Sequence, residues 1–190
     1  MVRRFFLLLA QQGFFEASKD TLFSTIVIGI ALPIISGLYL IKKWPAFRAI
    51  ADSAPQHWFI GIQFYRLLGI VFLILHAQGL LPAEFALPAG YGDIIVGMLA
   101  LPVASWYFAQ KPFARELTIV WNGIGIADLG IPITTGFFTS PSTVQLLAYT
   151  TLNELITEYP LVMVPVFAVP LAMLLHIFSL RTLWYHKSSI

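Results

Sequence analysis

Apolar residues in this chain come in long unbroken runs. They lack both the alternation of strands and the one-sided spacing of amphipathic helices. A helix needs about 20 mainly apolar residues to cross roughly 30 Å of hydrocarbon. Five stretches meet that length: residues 21–41, 58–81, 89–109, 118–138 and 161–180. A membrane barrel strand would instead alternate over about ten residues. The pattern predicts an all-α, polytopic membrane bundle, one integral membrane domain over residues 1–190.

Residues 5–15 are apolar but too short to span. A helix of that length rises only about 17 Å. Arg3 and Arg4 ahead of them suggest a signal peptide, but Gln11 and Gln12 argue against one. The first 20 residues are therefore expected to form an interfacial helix.

The segments between spans differ in charge. Lys42, Lys43 and Arg48 follow the first span, Lys111 and Arg115 the third, and Arg181 and Lys187 the fifth. The second and fourth loops carry Glu84, Glu154 and Glu158 and no Lys or Arg. By the positive-inside rule the basic loops and the C-terminus are cytoplasmic. Five spans then put Arg3, Arg4 and Lys19 outside, against that rule. In the fourth loop, Val144, Leu147, Leu152, Leu155 and Ile156 suggest a short interfacial helix. The second loop, from Leu81 to Gly90, reads as a tight hairpin, or as a segment dipping toward Asp93. Residues 180–187 form an aromatic and basic anchor. Gly61, Gly69, Gly97, Gly123 and Gly125 permit close helix contact.

Composition removes whole classes of function. The chain is 58% hydrophobic and 11% charged, with a mean hydropathy of +0.83. A water-soluble enzyme or binding module cannot hide that much apolar surface. The absence of cysteine excludes disulfides, thiolate metal sites and cysteine nucleophiles. Eleven Lys and Arg dispersed among apolar segments make no nucleic-acid surface. There is no metal-ligand spacing, phosphate loop or nucleophile triad, and no cofactor is expected.

Ionisable residues at membrane depth are costly and mark sites. They are Arg66, His76, Asp93, Asp128 and His176. Counting along the spans puts Arg66 about 12 Å from the inner edge and Asp128 near the midplane, a candidate ion pair. Asp93 counts to roughly 6 Å below the outer edge, beside His76. Tyr65, Gln63 and Asn122 are placed to add hydrogen bonds. His176 counts to roughly 22 Å below the outer edge, too far from His76 for both to ligate one haem.

Gly90-Tyr91-Gly92-Asp93 fits the GxGD motif of intramembrane aspartyl proteases. In those families the partner aspartate precedes the motif, whereas Asp128 follows it. The segments Pro55-Gln-His-Trp-Phe-Ile-Gly-Ile-Gln-Phe-Tyr-Arg66, Phe85-Ala-Leu-Pro-Ala-Gly-Tyr-Gly-Asp93 and Tyr159-Pro-Leu-Val resemble uncharacterised bacterial multi-pass membrane proteins, some labelled permease-like. That resemblance implies a bacterial inner membrane. The leading expectation is a non-enzymatic, permease-like protein that binds or conducts a small solute or ion. Its site would use Arg66, Asp128, Asp93, His76, Asn122 and Tyr65, and its partners would be the lipid bilayer and copies of itself. The competing classes are a subunit or assembly factor of a larger membrane complex and a GxGD-type protease.

Overall fold

Long apolar runs interrupted by short polar turns fold as helices laid side by side. The structure, a computed structural model, describes residues 2–15, 25–143 and 145–185. All regular structure among them is helical. Helix α1 covers Val2–Gln11, α2 Thr25–Lys43 and α3 Pro45–Ser53. The next helical unit is composite: α4 (Gln56–Gly61), a 3-10 stretch (Ile62–Gly69) and α5 (Ile70–Ala77) run on without a break. Helix α6 covers Ala83–Phe108 and α7 Ala114–Thr139. A π-helical turn (Val164–Ala168) leads into α8 (Val169–Tyr185). Five of these units are long and apolar enough to cross a membrane: Thr25–Lys43, Gln56–Ala77, Ala83–Phe108, Ala114–Thr139 and Val164–Tyr185.

Several boundaries differ from the apolar pattern. Helix α6 begins at Ala83, six residues earlier than expected, directly after the extended Pro82. Leu81 to Gly90 is thus neither a hairpin nor a dipping loop. The turn is made by residues 78–82, where Gly79 takes a φ of 73°, and Pro88 lies inside the helix. Helix α7 begins four residues earlier than expected, after Phe113 in the left-handed region. The start of the first span, Lys19, Val144 and Lys187 lie outside the described residues.

The fourth loop is not an interfacial helix. Its helical part among the described residues is one 3-10 turn, Leu155–Thr157. The loop's polar groups are used elsewhere. Asn153 donates from Nδ2 to the Thr139 hydroxyl Oγ1 at 2.9 Å and from its backbone N to Thr139 O at 3.2 Å, the second bond capping a carbonyl that α7 leaves open. Ile156 is drawn inward against Phe72, Leu81, Phe85 and Ala89.

The elements alternate between two ends. At one end, Arg48 donates from Nε to Ile41 O at 2.9 Å, closing the last turn of α2. There too Arg181 pairs with Asp52, and Arg115 donates to Leu183 O at 3.3 Å. The opposite end holds the acidic loops. Helix α1 lies there, because Ala10 and Phe15 pack with Ile26, Val162 and Val166. Polarity is inverted relative to a water-soluble bundle. Leu68, Ile35 and Met98 face outward while Gln63, Asn122, His176 and Ser179 are wholly buried. Apolar helices arranged this way suggest membrane association.

Candidate functional site

Arg66 sits in the middle of the 3-10 stretch, and that local conformation decides what it faces. A 3-10 helix has three residues per turn, so positions three apart eclipse. Its buried residues are Gln63, Arg66 and Gly69, one straight stripe. In an α-helix the same three would fan out by about 60° per step. The stripe faces α6, α7 and α8. Tyr65 Oη donates to Ala168 O at 2.7 Å and Gln63 Nε2 to Ala172 O at 2.9 Å. These bonds tie the stretch to the π-turn and the start of α8.

The guanidinium of Arg66 is 3% exposed and reaches three helices at once. Its Nε donates to Asp93 Oδ1 on α6 at 2.7 Å, and Nη2 lies 2.7 Å from the same oxygen. Nη2 also donates to Asp128 Oδ2 on α7. Nη1 faces His176 Nε2 on α8 at 3.4 Å. A planar fork with donors in fixed directions is suited to such a junction, and a lysine ammonium is not.

Behind Arg66 runs a chain of hydrogen bonds whose directions are set by chemistry. A guanidinium only donates, so His176 Nε2 accepts and the ring proton sits on Nδ1. That proton is donated to Asn122 Oδ1 at 2.9 Å. Asn122 Nδ2 then donates to Thr118 O at 2.8 Å and to Ser179 Oγ at 2.8 Å. Gln56 Nε2 donates to the same Ser179 Oγ at 2.6 Å. The Trp121 ring packs on the imidazole at 4.9 Å between centroids. This geometry holds His176 as a neutral imidazole.

Two glycines make room for the cluster. A Cβ on Gly92 of α6 would coincide with the Asp128 carboxylate, and one on Gly125 of α7 would collide with the His176 ring. The Gly92 of the GxGD motif is thus a contact surface for the neighbouring helix.

The structure brings together Arg66 and Asp128, as the depth count expects. It does not bring His76 to Asp93. His76 Nδ1 lies 3.0 Å from Leu81 O, at the far end of α5. The reason is the early start of α6. Asp93 is ten residues into the helix, so about 15 Å from its end and level with Arg66. Tyr65 stands beside the cluster but turns to the π-turn, while Asn122 joins it through His176. His176, set apart from His76 by depth, belongs to the cluster through Arg66. Against a roughly 30 Å layer, its counted depth lies about 8 Å from the inner edge, close to that of Arg66. Ser179 and Gln56 carried no sequence signal.

Among the described residues no group of three or more His, Asp or Glu side chains could hold a metal ion. The model of the family described as Domain of unknown function (DUF8737) matches residues 23–184. The chain belongs to that family. No curated protein and no solved structure matches it. The matched stretch of this DUF8737 chain contains the whole cluster, from Gln56 to Ser179, and leaves out α1.

Proposed function

We propose that the protein is a polytopic membrane protein, permease-like in character, that binds a proton or a cation at the Arg66–Asp93–Asp128 cluster and carries it part or all of the way across the bilayer. One observation carries this reading: two carboxylates converge on one guanidinium. With His176 neutral and both carboxylates ionised, one negative charge would be left unmatched among apolar helices. Such a charge is expensive unless something neutralises it. A purely structural ion pair has no need of the second acid. The carboxylates keep 18% and 13% of their side-chain surface, so they can be reached, whereas Arg66 cannot. The basic loops favour a cytoplasmic C-terminus in a bacterial inner membrane.

Arg66 between the two aspartates disfavours the proteolytic reading. An aspartyl dyad works because two adjacent carboxylates share one proton. The reading as a membrane subunit is separated by the test. Thermal unfolding of the purified chain is measured across pH and a panel of monovalent inorganic cations. A proton or cation response in the wild type, lost in Asp128→Asn and Arg66→Ala, is the expected result. Variants that only melt lower, with no response in any protein, would overturn the proposal and favour a structural role in a larger complex.

A further inference from the structure

Beside the cluster lies a cavity of about 570 Å³, walled by α2, α5, α6, α7, the fourth loop, the π-turn and the start of α8. Its volume is that of a small-molecule site, for which roughly 300–1,000 Å³ is usual. Its walls are apolar, with Ile30 and Ile34 on α2 facing Phe85, Leu129 and Phe137. Among its lining residues Asp93 alone is ionisable. The hydrogen bonds of Asp93 among the described residues fall on Oδ1. We infer that this cavity binds a hydrophobic organic cation, with its apolar body against the isoleucines and phenylalanines and its charge beside Asp93.

The chemistry selects that class over its neighbours. An anion would meet the Asp93 carboxylate, because the buried Arg66 is already held by Asp93, Asp128 and His176. A neutral solute would leave the unmatched negative charge as it is. A small inorganic cation must shed water for ligand oxygens, which these walls scarcely offer. An organic cation with a broad apolar surface satisfies both the walls and the carboxylate. Phe72 and Phe85, edge to face at 5.5 Å, add ring faces on which a cation can rest. The inference rests on the reading of the cluster as a cation site and names the substrate class for it.

The test uses the full chain in nanodiscs of zwitterionic lipid and two ions of one shape, tetraphenylphosphonium and tetraphenylborate. Empty nanodiscs supply the partition background. Tetraphenylphosphonium is expected to bind saturably, and tetraphenylborate is not. Asp93→Asn should weaken tetraphenylphosphonium binding about thirtyfold or more, as removing the partner of a buried charge does. Ala31→Phe, which fills the α2 wall, should abolish tetraphenylphosphonium binding. If the two ions bind alike, or if Asp93→Asn binds as the wild type does, the role of charge is overturned. If the wild type shows no saturable binding, the cavity assignment falls. The proton or inorganic-cation response, measured separately, then decides whether the cluster reading falls with it.

Discussion

At the scale of single residues, the protein turns on Arg66. Its three partners come from three helices, so no local interaction replaces it. Removing one member of a buried charge network leaves the others uncompensated and costs about 3–5 kcal/mol. Replacing all the charges together by apolar or neutral groups is often close to neutral. Arg66→Met should therefore unfold at a clearly lower temperature than the wild type. The triple variant Arg66→Met, Asp93→Asn, Asp128→Asn should recover most of the loss. Calorimetry or a thermal melt on both proteins decides the matter. A triple variant as unstable as the single one would mean that the charges hold the fold. Recovery would mean that the fold does not need them and that their cost is retained for something else. The pairing of Arg66 with Asp128 was legible from depth alone. The part played by Asp93 was not, because its depth depends on where α6 starts.

At the scale of elements, continuous apolar runs locate the long helices but blur their ends. Apolarity reports what a residue is buried in, not where hydrogen bonding begins. Pro82, Pro88 and Gly90 together read as a turn, yet only the residues up to Pro82 lie in one. A proline a few residues inside a helix removes one bond without ending the helix, especially where spans pack closely. The 3-10 stretch was not legible at all. It places Gln63, Arg66 and Gly69 on one stripe, a spacing that α-helical periodicity hides. The glycines were legible as sites of close approach, but not for what they approach. Gly92 is the clearest case, since the space for its Cβ is taken by the Asp128 carboxylate. Gly92→Ala must displace the Asp128 carboxylate from its place beside Arg66, an overpacking cost of about 1–3 kcal/mol. Thermal unfolding should show that loss, together with a weakened proton or cation response. Gly123→Ala, where nothing lies within 4 Å, is the control and should cost little. Equal losses at the two positions would show that contact with Asp128 does not account for the change.

At the scale of the whole molecule, charge and connectivity agree on two distinct ends. Lys42, Lys43, Arg48, Lys111, Arg115 and Arg181 gather at one, tied across elements by Arg181–Asp52 and Arg115–Leu183. Glu154 and Glu158 lie in the loop at the other, against the turn after α5. Helix α1 is the element that fits this asymmetry least. Its packing through Ala10 and Phe15 places it at the acidic end, although Arg3 and Arg4 belong to it. Positive charge near a span normally decides orientation, but several basic loops outweigh one short segment. The chain contains no cysteine, so single cysteines report their side of a membrane without background. Gln78→Cys and Tyr149→Cys, at the acidic end, should react with an impermeant maleimide in intact cells. Ser53→Cys and Gln110→Cys, at the basic end, should react only after permeabilisation. The reverse pattern would mean that the N-terminal arginines, not the loops, set the orientation. A cation that reaches the Arg66 cluster from the acidic side would then be entering from the cytoplasm. Labelling at all four positions in intact cells would mean that these helices do not cross a bilayer, and the proposed transport would fall with them.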